Sequence, residues 1–296
     1  MTVALPPLPD PTLLADACRD AASRHGVQPA AAEKDFYLTR LIWALAQVLG
    51  EQALLKGGTC LSKVDLGYHR MSEDVDLVLP WSGSLRHRGT NASRTNRVRD
   101  ALIAVAPVVG VRLQNADGEI SERMSHRIWT LLYGSVFGDP ARPEQILVEA
   151  SMRPVLRPPR RAALRQLVDD PDVVGGYEDA YCWALDYDEV RAEKVRAAFT
   201  RDEPAIRDFY DLRLLADAGA DMSSDGFVAL TDQKLAEESA SPLAEQPPGF
   251  ALTPAKRRNL DTAGRRQLTA VVRVGEPAFD LDGTIAHYDA LWRKGG

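Results

Sequence analysis

Residues 56–80 read KGGTCLSKVDLGYHRMSEDVDLVLP, and this stretch decides the fold. It opens with a lysine and a glycine pair, and it closes in an apolar segment that carries two aspartates. Side chains two residues apart in a strand lie on the same face, so Asp74 and Asp76 point one way while Val75 and Leu77 point into the core. The segment 74–79 is therefore predicted to be a half-buried strand with two carboxylates on one face.

The residues around this strand predict a compact strand, turn, helix, strand unit. A short apolar run at 53–55 precedes the glycine pair, and a brief helix is expected at 60–66. Gly57 and Gly58 let the backbone come close to an anion, and a helix that begins after them directs N–H groups and a partial positive charge at it. Two carboxylates can hold Mg²⁺, which prefers oxygen ligands and keeps phosphates in its shell. Phosphate and metal are thus expected in one cleft.

Helices precede this unit, and further strands follow it. Asp10 before Pro11 is typical of a helix N-terminus, with Gly26 as the stop, and a second helix is predicted at 29–49 with Gly50 as its stop. After the unit we expect an irregular stretch at 80–96, a helix at 97–106 and strands at 108–113, 127–137 and 145–152.

The second half of the sequence has a different character. After the proline-rich residues 153–159, helical patterns are predicted at 160–168, 187–200 and 204–218, a linker loop at 237–249 and a last helix at 284–294. We therefore expect an α/β domain at 1–155 with a mixed sheet, followed by a mainly helical domain at 156–296 that closes the cleft.

Composition limits the class of protein. The chain has 296 residues, of which 45% are hydrophobic and 26% are charged, as is ordinary for a folded globular protein. No stretch approaches the roughly 18 apolar residues needed to cross a bilayer, so no membrane association is expected. The three cysteines are widely spaced and indicate neither a disulfide framework nor a zinc site, which favours a reducing cytoplasm. The five histidines are scattered and are expected to be incidental.

The charge is unevenly distributed. The net charge is -6, yet residues 86–99 and 153–165 each hold five arginines and no acid. Such segments can contact the phosphates of a nucleic acid, and they can equally be solvated basic loops.

Four motifs in order resemble one known family. They are KGGT at 56–59, RMSEDVDL at 70–77, AEKVR at 192–196 and RDFYDL at 207–212, and Glu33-Lys34-Asp35 in the second predicted helix also fits. Together they resemble the AbiEii/AbiGii toxin family of nucleotidyltransferases, within the polymerase-beta-like nucleotidyltransferase superfamily. The resemblance covers roughly residues 29 to 218 and leaves about the last eighty unassigned. It implies a polymerase-beta-like domain of α/β (α+β) class with a mixed sheet.

The resemblance implies a set of residues that bind the nucleotide. Backbone and side chains near the glycine pair are expected to cradle the phosphates, with neighbouring polar groups flanking the acids. These residues are Lys56, Gly57, Gly58, Thr59, Arg70 and Ser72. Cys60 departs from the family pattern, in which alanine is frequent, and it is small enough to leave the turn undisturbed.

The resemblance also implies the catalytic residues. Asp74 and Asp76 are expected to bind Mg²⁺, with Glu149 as a third metal ligand from a neighbouring strand and as general base on an incoming hydroxyl. Lys194 is expected to reach the triphosphate, and Asp208 and Asp211 to form the far wall of the site. Simpler interpretations remain open: Glu149 as a structural acid paired with an arginine, and Lys194 as a helix-surface lysine.

A second motif resembles a different enzyme class. Residues 279–285, FDLDGTI, are similar to the phosphorylated-aspartate loop of haloacid-dehalogenase-like phosphatases. That fold needs a long α/β domain after the motif, and only eleven residues follow Ile285. We therefore expect Asp282 to cap the last helix, with Gly283 easing the turn.

The expected function follows from the resemblance. It implies a toxin that transfers a nucleoside monophosphate from an NTP to an RNA acceptor such as the tRNA 3′ end, with Mg²⁺ as cofactor and a cognate antitoxin encoded nearby. Two alternatives remain: modification of an antibiotic or other small molecule, and an inactive nucleotide-binding partner protein. The intact Asp74 and Asp76 pair disfavours the inactive protein.

Overall fold

The computed structural model of the chain describes residues 3–81, 88–120 and 125–293. The chain divides into two compact units, Met1–Leu185 and Asp186–Gly296. Its mixed α/β architecture confirms the predicted fold class. Arg86 lies outside the described residues, so the first arginine-rich segment is described only in part. No helix among the described residues is long and apolar enough to cross a membrane.

The first unit combines helices with one mixed sheet. Its helices are α1 (Pro11–His25), α2 (Pro29–Leu49), α3 (Gly57–Cys60), α4 (Arg88–Val109) and α5 (Pro171–Val174), and α3 continues as a π-helical segment, Leu61–Asp65. Its strands are β1 (Leu54–Leu55), β2 (Val75–Pro80), β3 (Arg112–Leu113), β4 (Glu119–Ile120), β5 (His126–Tyr133), β6 (Glu144–Arg153), β7 (Arg160–Ala163) and β8 (Tyr181–Ala184).

The sheet places β2 at its centre. The strand order is β3-β5-β6-β2-β1-β8-β7, with β4 paired to β5. β2 runs antiparallel to β1 and parallel to β6, while β5 runs antiparallel to β6. Val75, Leu77 and Leu79 are buried on one face of β2, and Asp76 lies on the other face, half-buried, beside the buried Val78. The strand therefore carries one of the two predicted carboxylates, and Asp74 lies immediately before it.

The helices before the sheet begin and end where the sequence predicted. The Asp10 carboxylate accepts the N–H of Thr12 at 2.8 Å, Pro11 opens α1, and Gly26 ends it with φ 66°. α2 spans Pro29–Leu49 and ends at Gly50, where φ is 55°. The Asp10 cap and Pro11 mark the start of α1, Pro29 marks the start of α2, and a glycine ends each helix, so these bounds were readable from sequence.

The region after β6 differs from the prediction. Residues 160–168, predicted as helical, instead begin with β7, which pairs antiparallel with β8, a strand that was not predicted. β8 in turn pairs with β1, so this hairpin extends the sheet. The first unit consequently ends at Leu185, later than the boundary expected near residue 155.

α4 also differs from the prediction. It begins at Arg88, within the stretch expected to be irregular, and it continues to Val109, into the segment expected to be a strand. Val105, Ala106 and Val109 are buried at helical spacing. Gly110, with φ 89°, ends the helix, and only Arg112–Leu113 remain as β3.

The second unit is helical. Its helices are α6 (Tyr187–Thr200), α7 (Ile206–Asp217), α8 (Asp225–Ala236), α9 (Pro254–Asn259), α10 (Arg265–Thr269) and α11 (Leu281–Trp292), with a π-helical segment, Leu260–Gly264, between α9 and α10. The bounds of α6 agree with the prediction, whereas α8, α9 and α10 lie in the region that the motifs left unassigned.

The phosphatase-like motif serves as a helix cap. Asp280, not Asp282, is the N-cap of α11, and its carboxylate accepts the N–H of Gly283 at 2.8 Å. A side chain at Gly283 would collide with the Asp280 carboxylate. Asp282 is exposed and pairs with Arg257. The sequence DLDG is thus accounted for by capping geometry.

Buried charges join helices in the second unit. Lys234 of α8 pairs with Glu189 of α6 at 2.7 Å, with Glu193 at 3.2 Å and with Glu237 at 3.1 Å. Burial disfavours the charged lysine, but the glutamates outweigh it and raise the pKa of Lys234. The charge is therefore kept in place by its partners.

A second buried ion pair fixes the helix that follows the glycine pair. Lys63 lies 2.6 Å from Asp35 of α2, and both side chains are almost fully buried. The Asp35 carboxylate also accepts the Tyr68 hydroxyl and the N–H of Leu167, each at 3.0 Å. Burial lowers the pKa of Lys63, and Asp35 opposes this effect. The Asp35 network thus ties α2 to the glycine turn.

We predict that Lys63→Met destabilises the protein by about 3 to 5 kcal/mol, because it leaves Asp35 charged and buried without its main partner. Urea unfolding of the variant measures this change. Asp16→Asn is the matched control: the Asp16–Arg19 pair is exposed, and exposed pairs contribute less than about 1 kcal/mol. Equal unfolding free energies for wild type and Lys63→Met would contradict the prediction.

Candidate active site

A row of polar side chains crosses four adjacent strands on one face of the sheet. The strands lie in the order β5, β6, β2, β1. Asp76 of β2 is in register with Glu149 of β6. Lys56, directly after β1, donates its backbone N–H to the Asp76 carbonyl at 3.0 Å. His126 of β5 completes the row, with Nε2 3.1 Å from Glu149 Oε1. Residues far apart in sequence thus converge on one patch.

The Lys56 side chain belongs to this patch. Its Nζ lies 3.8 Å from Glu149 Oε1. Because β2 separates β1 from β6, the lysine reaches across β2, on the side of Asp76. Lys56 therefore pairs with the predicted general base, and its expected contact with phosphate stays a prediction.

The glycine pair allows two polar groups to lie against the turn. Gly57 has φ 70°, and a Cβ there would be 2.5 Å from Asp76 Oδ2. A side chain at Gly58 would collide with the guanidinium of Arg70. Glycine is thus required at Gly57 for both its backbone conformation and the close approach of the Asp76 carboxylate. The turn predicted to bind phosphate touches the predicted metal ligand and a predicted phosphate-binding arginine.

Thr59 and Ser72 hold the segment that leads into β2. The Thr59 hydroxyl is fully buried, donates to the backbone carbonyl of Asp74 and lies at hydrogen-bond distance from the Ser72 hydroxyl. These contacts fix the position of Asp74. The predicted phosphate contacts of Thr59 and Ser72 are not tested by this geometry.

Asp74 lies in a mixed electrostatic environment. Burial raises its pKa, Asp76 and Glu73 raise it further, and the charge of Lys34 opposes them. Lys34 lies in α2 between the buried residues Glu33 and Asp35. The Glu33 carboxylate accepts the N–H of Val136 at 2.8 Å, so the first turns of α2 are anchored on both sides of Lys34.

Two residues at the site were missed by sequence reasoning. Lys34 was noted only as part of a matching motif, and His126 was regarded as incidental. The position of Lys34 between Glu33 and Asp35 could have indicated its place at the site, because both acids are buried and hold α2 against neighbouring segments. His126 had none, because the β5–β6 register that brings it to Glu149 cannot be read from sequence.

The two aspartates suit a hard divalent cation. Burial is the main cause of the raised pKa of Asp74, and the charge of Asp76 adds to it; a bound Mg²⁺ would stabilise both carboxylates in their charged form. Among the described residues, no three His, Cys, Asp or Glu side chains come together as a metal cluster. Glu149 contacts Lys56 and His126 through Oε1, and its expected role as a third metal ligand stays a prediction. The carboxylates of Asp74 and Asp76 are the kind of ligand that a hard cation prefers, with water and substrate oxygens as further ligands.

The second unit brings the other predicted residues together. Lys194 of α6 lies 2.9 Å from Asp208 and 2.7 Å from Asp211, both on α7. All three side chains are buried, so Lys194 is not the helix-surface lysine of the simpler interpretation. The twelve predicted residues thus form two sets, nine in the first unit and three in the second.

The arginine-rich segments divide into structural and exposed residues. Arg94 donates to the Pro80 carbonyl at 2.6 Å. Arg160 pairs at 2.6 Å with Asp65, which is buried. By contrast, Arg97, Arg161 and Arg165 are exposed; Arg97 donates to Gln52 at 2.8 Å, and Arg161 stacks on the Tyr181 ring.

Comparison with known proteins identifies the family of the chain. The family model for the nucleotidyl transferase AbiEii toxin of type IV toxin–antitoxin systems matches residues 40–287. The chain belongs to this family of nucleotidyltransferase toxins. Membership implies a cognate antitoxin. No curated protein matches the chain.

Two solved structures are similar to the chain. MenT4, a nucleotidyltransferase toxin from Mycobacterium tuberculosis H37Rv, is 19% identical with a TM-score of 0.54, and the match covers 96% of this chain and 87% of that one. JHP933 from Helicobacter pylori is 16% identical with a TM-score of 0.49, over 89% of this chain and 90% of that one. The likeness to MenT4 supports the nucleotidyltransferase toxin fold.

We predict that Gly57→Ala impairs the site far more than Gly50→Ala. Both glycines have positive φ, but a Cβ at Gly50 has no atom within 4 Å, whereas one at Gly57 meets the Asp76 carboxylate. The control variant Gly50→Ala therefore introduces only the backbone strain of a positive φ, which costs about 1 kcal/mol or more. Thermal unfolding and nucleotide binding are measured for both variants. Equal nucleotide binding by the two would contradict the close packing at Gly57.

Proposed function

We propose that this protein transfers a nucleoside monophosphate from an NTP to a hydroxyl of an RNA, with the tRNA 3′ end as the acceptor. The observation that carries the proposal is the row of Lys56, Asp76, Glu149 and His126 beside the glycine turn. Family membership supports nucleotide transfer. The choice of RNA rests on the exposed arginines.

Each side chain has a defined task in this proposal. The turn at Gly57 and Gly58 offers backbone N–H groups to the phosphates, and Arg70 adds positive charge beside it. Asp74 and Asp76 hold Mg²⁺, which when bound neutralises charge on the phosphates as pyrophosphate leaves. Lys34 adds a further positive charge near Asp74.

Glu149 accepts the proton of the acceptor hydroxyl. The hydroxyl oxygen then forms a bond to the α-phosphorus, and the bond from that phosphorus to the pyrophosphate oxygen breaks. Glu149 suits this task because it is half-exposed and lies next to Asp76 in register. Lys194, Asp208 and Asp211 form a buried cluster within the second unit, and the roles expected of them in nucleotide binding stay predictions.

RNA is favoured over a small molecule as the acceptor because Arg161 and Arg165 face solvent in a chain of net charge -6. An acidic antibiotic-binding pocket would not need exposed arginines. The cytoplasm is the proposed location, since NTPs, Mg²⁺ and tRNA are all present there.

We predict that the wild type moves label from one or more NTPs into tRNA in the presence of Mg²⁺, and that Asp76→Asn reduces this transfer at least about 100-fold because a metal-binding carboxylate is lost. Incubation with each α-labelled NTP and total tRNA, followed by gel analysis, measures the transfer. Glu51→Gln, an exposed acid outside the site, is the control and should transfer normally. A folded Asp76→Asn protein with wild-type transfer would reject the proposed site.

We predict that replacing both Arg161 and Arg165 with Ala weakens RNA binding, because up to two phosphate contacts are lost. The slope of log K against the logarithm of salt concentration should become less negative by about one to two. Fluorescence anisotropy with labelled tRNA across a salt series measures this slope. Arg19→Ala with Arg112→Ala, also exposed, removes the same charge elsewhere in the first unit. Equal effects of both pairs would indicate a general charge effect, and no effect of either would favour a small-molecule acceptor.

A further inference from the structure

We infer that His126 is a positioning residue that fixes the orientation of the Glu149 carboxylate for proton transfer from the acceptor. This inference rests on the proposed function. The observation is that His126 Nε2 lies 3.1 Å from Glu149 Oε1, the same oxygen that faces Lys56 Nζ at 3.8 Å. One carboxylate oxygen is thus held by two groups from different parts of the chain.

The strand geometry makes this contact a fixed one. In the antiparallel β5–β6 pair, Ile128 is opposite Glu149 and His126 is opposite Ser151. His126 and Ile128 are two residues apart, so they share the face of the sheet on which Glu149 lies. The hydrogen-bonded ladder between the two strands therefore sets the distance between imidazole and carboxylate, and groups on strands are held more precisely than groups on loops.

The contact between His126 and Glu149 contributes little to the stability of the fold. The side chains of His126 and Glu149 are 38% and 35% exposed. Partly exposed ion pairs contribute little to stability. By comparison, the ion pair Lys63–Asp35 in the same unit supports the fold, and both of its side chains are almost fully buried. Exposure beside Asp76 points to a role in the chemistry of the site.

Orientation matters because Glu149 must meet a proton on a substrate. A general base works when it lies about 2.6–3.2 Å from the group whose proton it takes. A carboxylate accepts hydrogen bonds and cannot donate them when ionised, so an imidazole N–H and an ammonium are its natural anchors. With both anchors on Oε1, rotation of the carboxylate is restricted. Loss of one anchor allows the carboxylate to turn away from the acceptor.

The test compares His126→Ala, His126→Gln and the exposed control His287→Ala. His126→Ala should lower the rate of label transfer to tRNA roughly tenfold to a hundredfold, because a misplaced catalytic group costs about that much. The KM for the NTP should stay within about twofold, because His126 is not expected to contact the nucleotide. His126→Gln, which keeps an N–H at a similar distance, should recover most of the rate.

A double-mutant cycle separates positioning from a general structural effect. Glu149→Gln should lower transfer strongly, and adding His126→Ala to it should cause little further loss, because His126 acts only through the carboxylate. A second readout does not depend on activity. The ring-nitrogen NMR signal of His126, one of five histidines, should shift in Glu149→Gln protein and stay unchanged in Glu51→Gln protein.

The outcomes separate this inference from the proposed function. Wild-type protein that moves no label into RNA rejects the proposed acceptor, and the NMR comparison then still tests the contact. Active wild type together with fully active His126→Ala, or additive losses in the double mutant, overturns the positioning role. Equal losses in His126→Ala and His126→Gln, or a changed KM for the NTP, also overturn it, since the imidazole would then act on the substrate itself.

Discussion

The approach of the Gly57 backbone to the Asp76 carboxylate is the contact on which the first unit's site depends. Gly57 can lie there because it has no side chain and because its φ of 70° is open to glycine. The hydrogen bond from Lys56 N–H to the Asp76 carbonyl joins the turn to β2. The glycine turn and the Asp76 carboxylate are thereby held in contact.

Buried polar contacts behind the turn keep it in place. Lys63 and Asp35 join the helix after the turn to α2, and Thr59 bonds to the backbone before β2. These groups are buried and have partners, as low-polarity surroundings require. Lys34, which is half-buried in α2, and Arg70, whose buried guanidinium lies against Gly58 and donates to the Met71 carbonyl, add positive charge at the same place.

The charged residues of the chain fall into two kinds. Some hold the fold, such as Arg160 with Asp65 and Lys234 with its three glutamates. Others remain accessible, such as Arg161 and Arg165. The two kinds of charged residue cannot be distinguished from the sequence alone, because both occur in segments without acids and in segments of mixed charge. Only their partners in the folded chain distinguish a structural arginine from one that can meet a phosphate.

Local sequence alone determined the elements whose signals are local. The caps of α1 and α2, the glycine turn and the alternation in β2 depend on neighbouring residues, and the structure agrees with them. The order of strands depends on pairing between distant segments, which local signals do not encode. That pairing turned residues 160–163 from a predicted helix into an edge strand, and it placed His126 beside Glu149. The sequence therefore indicated the acids of the candidate site, and the tertiary structure decided which side chains contact them.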